Sequence, residues 1–94
     1  MIIYGLKNCD KCRKALRANP GASLRDIRDE PLSADERARF LAVFGDKLIN
    51  QRSTTWRGLT AVERAQTPDT LLAAHPALMK RPVIEIDGVV QPPA

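Results

Sequence analysis

The sequence predicts an α/β fold in which helices pack on a mixed β-sheet. Short apolar runs near both ends of the chain have the length of buried strands. The middle of the chain carries helix-capping patterns and apolar residues at helical spacing. The 94 residues, of which 44% are hydrophobic and 28% charged, are enough for one domain, 1–94, with a modest core. The predicted order of elements is β-α-β-α-α-α-β-β.

The chain begins with a predicted strand and a predicted helix. Met1–Tyr4 is a short apolar run, which is typical of a buried strand. A polar loop then leads into a helix over about 10–18, in which Cys12 and Leu16 recur at helical spacing. The sequence Asn-Pro-Gly at 19–21 ends that helix.

A second strand and a longer helix follow. Ala22–Ile27 is a weak strand candidate, because few of its residues are strongly apolar. Ser33 and Glu36 have the spacing of a capping box, which predicts the start of a helix that Gly45 closes. The apolar residues of this helix recur on one face: Phe40, Leu41 and Phe44.

In the third quarter of the chain, the sequence predicts short helices joined by polar loops. Leu48–Ile49 is expected to form a short helical turn, and Asn50–Gly58 a polar loop. Thr67–Pro68 begins a helix that His75–Pro76 ends. Before it, a second capping-box spacing begins a shorter helix: Thr60 and Glu63.

The chain closes with a predicted hairpin. Val83–Ile86 is a strand, Asp87–Gly88 a two-residue turn, and Val89–Val90 the returning strand. The first two strands of the chain should be parallel and joined by a right-handed crossover.

The composition narrows the function classes. The net charge is +4, and no run of like charges is long enough for a nucleic-acid-binding tail. No stretch approaches the roughly 18 apolar residues of a membrane span, and the N-terminus lacks the pattern of a signal peptide. We therefore expect a cytoplasmic monomer with neither a membrane nor direct nucleic acid as partner.

Two cysteines three residues apart are the clearest chemical feature. Cys9 stands where the predicted first helix begins, and the free N–H groups and dipole of that turn favour a thiolate. Lys7 and Lys11 flank it and favour the same form, whereas Asp10 opposes it. Cys9 is therefore the predicted nucleophile, and Cys12, one turn further, the resolving thiol.

Two other interpretations of the cysteines remain open. A metal site needs about four ligands, and the chain offers two Cys and one His; we therefore expect no metal. The cysteines could also be incidental to the start of the helix. His75, next to a proline at a helix end, is expected to cap that helix and to take no part in catalysis.

Four segments together resemble the arsenate reductase–related (ArsC/Spx) family, and within it the YffB-like branch. They are Ile3–Asp10, Asn50–Arg57, His75–Pro82 and the strand that follows. The resemblance covers nearly the whole chain in the same order. Its specific parts are the motifs Arg-Ser-Thr-Thr-Trp-Arg and Lys-Arg-Pro.

The resemblance implies a thioredoxin-like mixed sheet with a helical insertion before the C-terminal β-hairpin. It matches Cys9 to the family's nucleophile and Pro82 to the cis-proline that faces it. Arg52 and Arg81 match two anion-binding arginines, whose planar guanidinium groups grip oxyanions in two places; their alternatives are a solvated loop arginine and a helix cap. The candidate substrate-binding residues are Arg52, Arg81, Pro82, Lys7 and Asn8.

The family implies three functions. The first is a small thiol oxidoreductase enzyme that uses glutathione as cosubstrate, without a bound cofactor, on a disulfide or a small oxyanion. The second is an Spx-like redox-sensing regulator, in which a Cys9–Cys12 disulfide is read by a protein partner such as RNA polymerase. The third is a glutathione/glutaredoxin-dependent arsenate reductase. Such reductases carry a third arginine after the final hairpin, where residues 90–94 have none, so we expect arsenate reduction to be weak or absent.

Overall fold

The computed structural model describes residues 1–92, in which the predicted strands and helices occur in the predicted order, with one additional short helix. Pro93 and Ala94, which the predicted domain includes, lie outside these residues. The strands are β1 (Ile2–Gly5), β2 (Ser23–Asp26), β3 (Val83–Ile86) and β4 (Val89–Val90). The helices are α1 (Asp10–Ala18), α2 (Ala34–Phe44), α3 (Thr54–Arg57), α4 (Ala61–Arg64) and α5 (Pro68–Ala74), with 3-10 turns at Gly45–Leu48 and Pro76–Leu78.

The chain divides into two compact units. The sheet unit contains Met1–Pro31 and the chain from Arg81 onward, and the helical unit contains Leu32–Lys80. The single-domain assignment stays a prediction. No helix within residues 1–92 has the length and apolar character needed to cross a membrane.

The sheet unit holds a mixed sheet with the strand order β2-β1-β3-β4. β1 runs parallel to β2 and antiparallel to β3, and β3 turns back into β4. The predicted parallel pair and the C-terminal hairpin are therefore confirmed. The hairpin turn uses positive φ at Asp87 (51°) and Gly88 (79°), which suits the twist of the paired strands.

The two faces of β1 carry different chemistry, because successive side chains of a strand point to opposite faces. Ile3 is fully buried and shares its face with Gly5, against which α1 packs. On the other face, the Tyr4 hydroxyl donates a hydrogen bond of 2.6 Å to the Glu85 carboxylate. The Arg25 guanidinium lies 5.5 Å from the centre of the Tyr4 ring. Glu85 is thus a buried carboxylate that keeps a polar partner.

The helical unit has its own apolar core, to which α2 contributes. Ser33 and Glu36 form the predicted capping box, with both reciprocal hydrogen bonds present. Phe40 is fully buried, and α2 packs on α5. The rest of this core is Leu48, Ile49, Leu71, Leu72, Leu78 and Met79.

One helix of this unit was not predicted. The segment Asn50–Gly58, expected to be a loop, contains α3 at Thr54–Arg57. The Ser53 hydroxyl caps it by accepting the Trp56 N–H at 3.1 Å. A helix of one turn has no apolar periodicity to reveal it, so the serine cap was its only sequence signal.

Candidate active site

Cys9 lies at the start of α1, as the sequence predicts. It is the N-cap residue, with extended backbone angles, and its carbonyl accepts the Arg13 N–H at 3.0 Å. Its own N–H donates to the Leu6 carbonyl at 3.1 Å, which closes a tight turn between β1 and α1. The half-buried sulfur therefore sits among the unpaired N–H groups of a helix N-terminus.

The surroundings of Cys9 favour its thiolate. Partial burial alone would raise the pKa of Cys9, but the N–H groups of Cys12 and Lys11, the Cys12 thiol and the positive charge of Arg81 together lower it. The first-turn N–H groups thus act as the sequence predicts. Lys11 contributes its backbone N–H, and not the side-chain charge that the sequence predicts.

Cys12 has the opposite tendency. It is fully buried, and burial raises its pKa to about 11, helped by its hydrogen bond to the Cys9 sulfur and by the negative charge there. The Leu6 N–H and Arg81 only partly offset this rise. Of the two thiols, Cys9 therefore ionises first, whereas Cys12 keeps its proton at neutral pH and donates it in a hydrogen bond to the Cys9 sulfur.

Gly5 lies at the end of β1 and contributes to the site in a way that the sequence pattern does not predict. A Cβ at this position would collide with the Sγ of Cys12. The absence of a side chain therefore lets α1 approach β1 closely enough to seat the second thiol. The signal available in the sequence was a glycine at the end of a strand that leads into a cysteine loop.

Asp26, at the end of β2, is a second residue that the sequence did not reveal. Its carboxylate accepts the Lys7 N–H at 2.9 Å and the Arg28 N–H at 2.9 Å. The Lys7 carbonyl accepts a hydrogen bond of 2.9 Å from the Arg13 side chain. The peptide groups of Lys7 are thus held from both sides, which fixes the loop that presents Cys9.

The Lys7 side chain points to an acidic neighbour. Its ammonium forms an ion pair of 3.0 Å with Asp29, and both side chains are well exposed. The charge that acts on Cys9 comes instead from Arg81. Asn8 is exposed in the same loop, and a substrate contact for either residue stays a prediction.

Arg81 and Pro82 enter the site from the segment before β3. The Arg81–Pro82 peptide bond is cis, as the resemblance implies. Arg81 is half-buried and lowers the pKa of both thiols, so it lies within electrostatic reach of them. Its role as an anion ligand stays a prediction.

Arg52 belongs to the helical unit. Its N–H donates to the Asn50 side chain at 3.0 Å, its carbonyl accepts from the Arg57 guanidinium at 2.9 Å, and the residue is exposed. Its anion-binding role also stays a prediction. His75 is the C-cap residue of α5, as expected.

Comparison with known proteins decides the family. A sequence model of the ArsC family matches residues 4–91. The chain belongs to the ArsC family. This ArsC-family protein is 39% identical to an uncharacterized protein of Haemophilus influenzae, over 94% of this chain and 85% of that relative.

Solved structures agree with this assignment. One is a protein named YFFB, with a TM-score of 0.82 and 27% identity over 96% of this chain and 87% of that one. Another is an arsenate reductase (ArsC) related protein from Brucella melitensis, with a TM-score of 0.73 and 32% identity over 99% and 85% of the two chains. The protein therefore has the arsenate reductase–like, thioredoxin-like fold of thiol oxidoreductases, with the predicted helical insertion before the hairpin.

Proposed function

We propose that this ArsC-family protein is a glutathione-dependent thiol oxidoreductase in which Cys9 is the nucleophile and Cys12 the resolving thiol. The observation that carries the proposal is the opposite displacement of the two pKa values. The pKa of Cys9 is lowered at the mouth of α1, while that of buried Cys12 is raised to about 11. Only the thiolate attacks a disulfide, so the order of reaction follows from this difference.

In the first step, the Cys9 thiolate attacks one sulfur of a disulfide formed between a substrate thiol and glutathione. A new bond forms between the Cys9 sulfur and the glutathione sulfur, and the old disulfide bond breaks. The substrate leaves as a thiolate and takes a proton from solvent. The substrate is thereby reduced, and Cys9 carries the oxidised mixed disulfide.

In the second step, Cys12 or a second glutathione releases Cys9. The pKa of Cys12 is held high in part by its hydrogen bond to the Cys9 sulfur and by the negative charge on that sulfur. Both effects disappear once Cys9 is in a disulfide. Cys12 then loses its proton more readily, attacks the Cys9 sulfur and expels glutathione. A glutathione thiolate that attacks the glutathione sulfur instead would leave oxidised glutathione and restore the Cys9 thiolate.

Anion binding would orient the glutathione. The positive charge of Arg81 lies within electrostatic reach of Cys9. Its guanidinium suits a glutathione carboxylate. The exposed Arg52 is proposed as an anion-binding residue of the helical unit. Pro82 is proposed to lie beside the glutathione bound at Cys9. Such a protein would work in the reducing cytoplasm, where the glutathione pool is available.

The decisive experiment is turnover of a glutathionylated peptide with glutathione in excess, followed by mass spectrometry of the protein. We expect many turnovers per protein and none in Cys9→Ser. When free glutathione is left out, we expect a trapped adduct on Cys9 in Cys12→Ser. A single stoichiometric reaction that stops at a Cys9–Cys12 disulfide would identify the redox-sensing alternative. Turnover with arsenate but not with the peptide would identify a reductase of that oxyanion.

A further inference from the structure

The helix that begins at the reactive cysteine carries most of the protein's excess charge. α1 has one acidic side chain, Asp10, and four basic ones: Lys11, Arg13, Lys14 and Arg17. Three of the chain's four net positive charges therefore lie on nine residues. All four basic residues are exposed.

These cations are not neutralised by acidic side chains. Elsewhere in residues 1–92, Lys7 pairs with Asp29, Arg25 with Glu30 and Arg37 with Asp69, whereas no described ion pair engages the basic residues of α1. Arg13 uses one N–H on the Lys7 carbonyl and keeps its charge. The outward face of α1 is thus a strip of positive potential.

The length of this strip distinguishes two kinds of anionic ligand. Eight residues separate Cys9 from Arg17, which corresponds to about 12 Å along a helix. A disulfide as small as oxidised glutathione, bound at the Cys9 sulfur, would cover less of this strip than a longer chain. An extended polypeptide with several carboxylates could contact Lys14 and Arg17 as well.

We propose that the outward face of α1 docks an acidic segment of a polypeptide whose own disulfide is the bond that Cys9 attacks. This rests on the proposed function and names its substrate class. The Cys9 thiolate forms a bond to one substrate sulfur, and the other leaves as a thiolate that takes a proton from solvent. Cys12 then loses its proton to solvent and attacks the Cys9 sulfur. The polypeptide departs with both sulfurs reduced, the protein holds the Cys9–Cys12 disulfide, and glutathione restores the dithiol.

Charge of this kind acts mainly on the rate of encounter. Complementary charge steers association and raises its rate constant, and the effect falls as salt shortens the screening length. The contribution of α1 should therefore appear in the second-order rate of the first attack at low ionic strength.

The test uses two peptides of equal length, each with one cysteine linked by a disulfide to thionitrobenzoate. The released thionitrobenzoate is coloured, so its absorbance reports the rate of the first attack. One peptide carries four glutamates beside the cysteine, and the other four lysines. In stopped flow at low salt we expect the acidic peptide to react about tenfold faster. The difference should shrink towards unity in molar salt.

Variants locate the effect on α1. The double variant Lys14→Gln/Arg17→Gln should slow the acidic peptide several-fold, and should slow oxidised glutathione less. The control Arg28→Gln/Lys47→Gln removes two exposed charges outside α1 and should leave both rates unchanged. Equal rates for the two peptides at low salt, or an equal loss in the control, would overturn the docking proposal while the reaction with oxidised glutathione still stands. Failure of Cys9 to react with any disulfide would overturn the proposed function as well.

Discussion

The Sγ of Cys12 occupies the space that a side chain at Gly5 would need. This contact joins the end of β1 to the first turn of α1, and it seats the second thiol in a fully buried position. The burial is the largest cause of the raised pKa of Cys12. One glycine therefore supports both the packing of the helix and the burial that raises the pKa of Cys12.

Gly5→Ala should destabilise the protein by about 1–3 kcal/mol, because the new methyl group forces α1 away from β1. Denaturant unfolding under reducing conditions measures the change. In a Cys12→Ala background the same substitution should cost clearly less, since the colliding sulfur is gone. Gly58→Ala is the matched control, because a Cβ there meets only ordinary contacts at 3.6 Å. An equal cost of Gly5→Ala with and without Cys12 would contradict this account.

The rate of alkylation of Cys9 should titrate with a pKa below the ordinary thiol value of about 8.5. The hydrogen bonds donated to the Cys9 sulfur and the charge of Arg81 together lower its pKa by more than partial burial raises it. Arg81→Gln should move the midpoint upward, because it removes the positive charge that favours the thiolate. Arg28→Gln, an exposed charge after β2, serves as the control and should leave the midpoint in place. The assignment of Arg81 fails if both variants titrate alike.

Local patterns carried most of what the sequence could predict. The start of α1, the capping box at Ser33 and the turn at Asp87–Gly88 each depend on residues a few positions apart, and the structure has all three. The difference in burial between Cys9 and Cys12 could be predicted for the same reason, since one turn of helix separates the half-buried N-cap from the buried position.

Contacts between distant segments could not be predicted. The hydrogen bond from Tyr4 to Glu85 joins residues 81 positions apart in the sequence, and that from the Lys7 N–H to Asp26 joins residues 19 positions apart. A periodicity argument assigns a strand residue to a face, but it does not say which side chain of another strand lies beside it. Glu85 in particular is a charged residue of the kind usually found at the surface. It is buried here with the Tyr4 hydroxyl as its hydrogen-bond donor.

Cys12 should make the protein less stable as the solution becomes alkaline. Its pKa of about 11 in the folded state exceeds that of an unfolded thiol, so between pH 9 and 11 the unfolded chain ionises first. The unfolded state then binds fewer protons, and the free energy of unfolding falls by about 2–3 kcal/mol over this range. Urea unfolding with reductant at several pH values should show this slope, and Cys12→Ala should flatten it. An identical slope in the two proteins would rule out the buried thiol as its source.

Asp26 should control the reactivity of Cys9 although it does not touch the sulfur. Asp26→Ala leaves the N–H groups of Lys7 and Arg28 without their acceptor, which should cost about 1–2 kcal/mol and loosen the loop before α1. Because Cys9 then leaves its place among the helix N–H groups, the midpoint of its alkylation should rise. Asp26→Asn keeps an oxygen acceptor and should restore part of both losses. Asp29→Ala, which removes only an exposed ion pair, should change neither. A normal alkylation midpoint in Asp26→Ala, measured on protein shown to be folded by circular dichroism, would reduce Asp26 to a purely structural residue.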